Sequence, residues 1–140
     1  MTAAFTAAAL YPDTVGVEVA TIDDYLEAAR SRLDRVHPAN LDTEVEKGAL
    51  LIDIRPEADR DAYGTMPGAI VIDRNVLEWR LAPSSEARTI DLDEGQRVIL
   101  FCNDSYQSSL SAAVLQDLEI KSATDLVGGF NAYQAHRDKA

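Results

Sequence analysis

Two hydrophobic periods alternate along this chain. After Thr21, the residues Ile22, Tyr25, Leu26, Ala29 and Leu33 recur at three- and four-residue spacing. That spacing puts them on one helical face and predicts a helix over residues 22–34. Thr21 is the natural N-cap, with Asp24 three positions on as a weak capping-box partner. Val36 then opens a short strand, and Pro38 starts a second short helix through Val45, with Gly48 just past its end. Ahead of these elements, residues 1–20 carry Pro12, Gly16 and many small residues. They read as an extension or irregular arm in front of a domain spanning residues 21–140.

From residue 49 the pattern changes. Residues 49–54 form a continuous apolar run interrupted only by Asp53, as expected for a strand buried on both faces of a parallel sheet. Residues 96–102 are a second such strand. Residues 123–127 are a third, stopped by Gly128-Gly129. Between the first two lie the turn residues 64–68 and a short apolar run over 69–72. Helical spacing returns over residues 106–118, where Leu110, Ala113, Val114 and Leu118 share a side, and a last helix runs from Phe130 towards His136. There is no internal repeat. Strands alternating with helices predict an α/β layered domain with a mostly parallel central sheet.

The length of 140 residues fits one domain, and 46% hydrophobic residues suffice for a real core. The net charge of −11 repels phosphate backbones, which excludes nucleic acid as an expected partner. It also repels small anions at long range, so an anionic substrate would need strong local contacts. No apolar run approaches the roughly 20 residues of a membrane span. Residues 1–9 lack the basic start of a signal peptide. With one cysteine there is no intrachain disulfide framework, and a reducing compartment, the cytoplasm, is the expected location. His37 and His136 have no metal-ligand spacing with Cys102, so no metal is expected.

The chemistry concentrates at residues 98–109, Val-Ile-Leu-Phe-Cys-Asn-Asp-Ser-Tyr-Gln-Ser-Ser. A buried strand delivers Cys102 to its C-terminal end, the edge where open α/β sheets bind ligands, and a polar loop leads into a helix. Backbone N–H groups curling round the sulfur would stabilise a thiolate and make it a better nucleophile. They would equally hold a persulfide or an anion. On these residues alone, an inert cysteine acting as a small buried hydrophobe is the commoner outcome.

Over about residues 33–137 the sequence resembles the single-domain rhodaneses. Four segments carry the likeness in order: Leu51-Ile52-Asp53-Ile54-Arg55, Gly64-Thr65-Met66-Pro67-Gly68-Ala69-Ile70, Cys102 through Ser108, and Leu126-Val127-Gly128-Gly129-Phe130-Asn131-Ala132-Tyr133. The resemblance implies a three-layer sandwich with a central mostly parallel sheet flanked by helices. It implies sulfur transfer without metal or organic cofactor: Cys102 takes sulfur from a small donor and passes it to a thiol or cyanide-like acceptor. The backbone amides of Asn103, Asp104, Ser105, Tyr106, Gln107 and Ser108 would hold the persulfide, helped by the side chains of Ser105, Gln107 and Ser108.

Several residues depart from the family pattern. Ser105 stands where glycine is common and backbone geometry is tight. Thr65 stands where histidine is common. The loop contains Asp104 and no arginine or lysine, which opposes dianionic donors such as thiosulfate. Ser108 occupies the sixth position after Cys102, where cysteine phosphatases need an arginine, so phosphatase chemistry is not expected. Asp53 and Arg55 are expected near the site as a structural pair. Arg74 or Arg80 could reach over the loop and supply the missing charge. The competing reading is a solvated helix with Leu77 and Trp79 packed inward. Tyr106 is expected beside the substrate mouth. The alternative to an enzyme is a rhodanese-like module that binds a partner or senses persulfide or oxidant; a third reading is an acidic scaffold with an inert cysteine.

Overall fold

Residues 21–139 are described in the computed structural model; the arm expected over residues 1–20 lies outside them. Four short strands, β1 (Leu50–Asp53), β2 (Ile70–Val71), β3 (Val98–Phe101) and β4 (Ala123–Asp125), form one sheet in the order β2-β1-β3-β4. Every pairing is parallel, with Leu50 beside Val98, Asp53 beside Phe101 and Leu100 beside Asp125. Six helices flank the sheet: α1 (Ile22–Arg30), α2 (Leu41–Glu46), α3 (Glu57–Tyr63), α4 (Leu77–Leu81), α5 (Tyr106–Asp117) and α6 (Gly129–Asp138).

The strand residues alternate between two cores, because successive side chains leave a strand on opposite faces. Ile52, Val98 and Leu100 pack with Leu77, Leu81, Ala112 and Leu115 from α4 and α5. Leu51, Ile99 and Phe101 pack with Leu41, Phe130 and Tyr133 from α2 and α6. This is the layered α/β arrangement expected from the apolar runs and the three-layer sandwich that the resemblance implies. An outer helix, α1, lies against α5 and buries Leu26 and Ala29. The Thr21 hydroxyl caps it, accepting from the Asp24 amide at 3.0 Å.

Some elements depart from the periodicity. The first helix ends at Arg30 rather than residue 34, and the amides of Ser31 and Leu33 close it with turn bonds to Glu27 and Arg30. Val36 makes only an isolated parallel bridge to Leu126, just beyond the end of β4. α3 went unread because its sequence, Glu-Ala-Asp-Arg-Asp-Ala-Tyr, has no apolar stripe and none of its residues is buried. Trp79 was expected to pack inward but is 58% exposed. In a five-residue helix, Leu77 and Leu81 take the buried i,i+4 face, which leaves the residue midway between them pointing outward. The run over 69–72 supplies only the two-residue edge strand β2, whose side chains are exposed.

Ile52 is fully buried on β1, between β2 and β3. Ile52→Ala should therefore lower unfolding free energy by about 2–5 kcal/mol, through lost transfer energy plus a cavity. Urea denaturation would measure this, and a change below about 1 kcal/mol would contradict such tight packing.

Candidate functional site

β1 and β3 end side by side at Asp53 and Phe101, so Cys102 emerges at the C-terminal edge of the sheet. It is half-buried against the α4–α5 core. The next three residues turn the chain into α5. Ser105, the last of them, lies at φ 68°, ψ 14°, in the left-handed region. That conformation costs a non-glycine residue about 1–2 kcal/mol, so the position that commonly holds glycine is strained here. Its surroundings compensate. The Ser105 hydroxyl accepts from the Gly128 amide at 3.2 Å and from Arg30 Nη2 at 3.2 Å. Its carbonyl accepts from Arg30 Nη2 at 3.0 Å and from Ser109 Oγ at 2.9 Å.

The first turn of α6 holds the loop from the other side. Phe130 donates its amide to the Cys102 carbonyl at 2.8 Å, and Asn131 donates to the Asn103 carbonyl at 3.1 Å. Asn131 Nδ2 also donates to Asp104 Oδ1 at 2.8 Å. This close approach requires Gly129, where a Cβ would sit 2.5 Å from the Cys102 carbonyl oxygen and 2.6 Å from that of Asn103. Among the described residues, none of the backbone N–H groups of Asn103 through Ser108 donates to a backbone carbonyl outside α5. The carbonyls of Cys102 and Asn103 are thus engaged while the following run of amides stays available.

Two buried carboxylates brace this arrangement. Asp53 receives Arg55 Nε at 2.9 Å and Nη2 at 2.8 Å, a bidentate pair with both residues about 1% exposed. Arg55 also donates to Asn103 Oδ1 at 3.1 Å and to the Gly64 carbonyl at 2.9 Å. Its guanidinium lies 4.3 Å from the Phe130 ring centroid and 5.5 Å from that of Phe101. At the end of β4, the fully buried Asp125 receives Arg35 Nε at 2.7 Å and Nη2 at 3.2 Å. Its Oδ2 also accepts the hydroxyls of Ser108 at 2.8 Å and Ser109 at 2.7 Å.

Comparison with known proteins identifies the family and the fold. The family model described as rhodanese-like domain matches residues 37–136. The chain belongs to the rhodanese-like domain family. Similar solved structures include a protein from Rhodopseudomonas palustris described as a possible tyrosine phosphatase, at 24% identity and TM-score 0.76, covering 86% of this chain and 93% of that one. The human single-domain sulfurtransferase is 22% identical with TM-score 0.57, covering 72% of this chain and 95% of that one. A rhodanese homologue from Thermus thermophilus is 25% identical with TM-score 0.50, covering 70% and 98%. No curated protein matches the chain.

Within this rhodanese-like domain the expected site residues divide. Asn103 and Asp104 stand at the loop with Cys102. Tyr106 is 64% exposed at the start of α5 with the Arg30 guanidinium 5.9 Å from its ring centroid. The hydroxyls of Ser105 and Ser108, expected as persulfide contacts, take part in the network beneath the loop. Both residues are buried, and both hydroxyls bond inward to the supporting network because they lie on the side of the loop facing α1 and β4. Gln107 reaches along α5 to Ser111 at 3.4 Å. For Arg74 and Arg80, the recorded side-chain bonds run to neighbours in sequence rather than to the loop. Arg74 donates to Glu78 at 2.8 Å and Arg80 to the Ala87 carbonyl at 3.1 Å, each within its own stretch of chain.

A guanidinium bonded to the loop belongs to Arg30 on α1, a residue that the sequence did not single out. Asp125 was the readable sign of this network, since a carboxylate inside a buried strand demands partners. Among the described residues, no three metal-ligating side chains converge. An open groove of about 670 Å³ between residues 78–87 and the end of α5 contains none of the loop residues.

Gly129→Ala should destabilise the domain by roughly 2–4 kcal/mol, since it combines backbone strain with a clash against two carbonyls. Thermal or urea denaturation would show it. A variant as stable as the parent would mean that α6 does not hold the loop at this distance.

Proposed function

We propose that this domain transfers sulfane sulfur through a persulfide on Cys102. The observation that supports the reading best is the chain's one thiol, part-exposed at the sheet's C-terminal edge and followed by the unengaged amides of Asn103 through Ser108. Such amides stabilise negative charge on sulfur by pointing partial positive charge at it. The thiolate of Cys102 attacks the outer sulfur of the donor. A new S–S bond forms, the donor's own bond to that sulfur breaks, and the electron pair leaves with the donor remnant, sulfite in the case of thiosulfate. An acceptor thiolate or cyanide then attacks the outer sulfur of the persulfide, and the electron pair returns to Cys102 as thiolate. No outside oxidant or reductant is consumed, and no cofactor is needed.

Electrostatics shapes the choice of donor. Asp104 is exposed at the loop, and the nearby guanidiniums of Arg30, Arg35 and Arg55 are all bonded to protein acceptors. A dianion therefore meets an exposed carboxylate on a chain of net charge −11, offset in part by the half-buried Arg30, whose fork is committed to Ser105 and Ser109. Neutral or singly charged persulfide donors suit the site better than thiosulfate. The unpaired thiol suits a reducing compartment, which we take to be the cytoplasm. The same carboxylate favours, as second reading, a module that accepts sulfur or oxidant on Cys102 without turning over. Phosphate-ester hydrolysis is disfavoured, because Ser108 stands at the phosphate-binding arginine's position and its hydroxyl is bound to Asp125.

Cyanide-dependent thiocyanate formation, followed with thiosulfate and separately with 3-mercaptopyruvate, tests the enzyme reading. Turnover is expected with at least one donor in the wild type and none in Cys102→Ala. Turnover of equal size in the variant contradicts the proposal, and none in the wild type favours the sensing module. Asp104→Asn should raise kcat/KM for thiosulfate roughly threefold to tenfold at low salt, with the gain shrinking as salt screens the carboxylate. An unchanged value would remove Asp104 from donor selection.

A further inference from the structure

Arg30 ends the last turn of α1, seven residues ahead of the segment that matches the family model. Even so, its side chain bonds directly to the Cys102 loop. Nη2 bonds both the carbonyl and the hydroxyl of Ser105, and Nε bonds Ser109 Oγ at 3.0 Å. The single Ser109 hydroxyl proton lies within bonding distance of both the Ser105 carbonyl and Asp125. All of these contacts converge on the one loop residue held at positive φ without being glycine. Left to itself, a serine would leave the left-handed region for the broader right-handed or extended wells. A rotation there would swing the amides on either side of it, which are those assigned above to the sulfur.

We propose that Arg30 is a positioning residue for Cys102. Its planar fork clamps Ser105 in the left-handed conformation and so fixes the amides that face the reactive sulfur. A glycine at 105 would reach that conformation unaided, so the clamp is the counterpart of the serine. The inference deepens the reading of Cys102 as the reactive centre and rests on it. It adds that a helix outside the matched segment belongs to the working site.

The test uses the full-length chain and two readouts at neutral pH: alkylation of Cys102 by iodoacetamide, which is uncharged, and sulfur loading from thiosulfate or 3-mercaptopyruvate. Arg30→Ala should slow both about tenfold, the rate equivalent of losing roughly one constraining hydrogen bond. Arg30→Lys keeps the charge and loses the fork, and should be slowed to a similar degree. The decisive variant combines Arg30→Ala with Ser105→Gly. It should react within about twofold of Ser105→Gly alone, because the freed backbone no longer needs the clamp.

Circular dichroism and the thermal midpoint of each variant check that the fold is kept. Wild-type rates in Arg30→Ala overturn the proposal. So does a loss of the same size whether or not residue 105 is changed, which would assign the effect to general packing. If sulfur loading fails in the wild type while alkylation follows the expected pattern, sulfur transfer is wrong and the Arg30 clamp stands.

Discussion

A buried guanidinium organises the C-terminal edge of the sheet in this domain. Arg55 is almost fully removed from water, a placement that costs several kcal/mol unless every donor finds a partner. All three of its nitrogens find partners, on three different pieces of chain: Asp53 at the end of β1, the carbonyl of Gly64 and the side chain of Asn103. Because the fork is planar and its directions are fixed, those three pieces cannot move independently. The faces of Phe130 and Phe101 close over the cation, so the start of α6 and the end of β3 are bound to the same centre. The Cys102 loop is held between these elements.

A second ionic pair does the same on the far side. Asp125 ends β4 with four hydrogen bonds, two from Arg35 and two from the hydroxyls of Ser108 and Ser109 at the start of α5. The two carboxylates flank β3, the strand that delivers the cysteine. The loop is therefore braced from the β1 side and the β4 side, and Gly129 lets α6 seal it by main-chain bonds. One consequence is electrostatic. The arginines beside the loop are bonded to protein acceptors, while Asp104 faces solvent. The loop is thus ordered by cations, while the exposed charge on it is a carboxylate.

Much of the fold could be read from the sequence because its layers obey simple periods. The unbroken apolar runs around Leu51 and Ile99 signal strands covered on both faces, and the structure buries both faces. The positive φ of Ser105 was legible as a serine at a glycine position. What escaped was whatever carries no period. α3 buries nothing, and Trp79 lies on a helix too short for its neighbours to announce which face is inside. The network beneath the loop escaped for a different reason. Arg30 meets Ser105 across 75 residues of sequence, and nothing local marks such a pair. Asp125 in an apolar run was the one clue that buried partners had to exist.

Intact-mass spectrometry of the full-length protein after exposure to a sulfane-sulfur donor, with no acceptor present, tests the persulfide most directly. The predicted result is a gain of one sulfur that maps to Cys102, is absent in Cys102→Ala and is removed by cyanide. No gain in the wild type with any donor, or a gain that persists in Cys102→Ala, would contradict a sulfur carrier at this position.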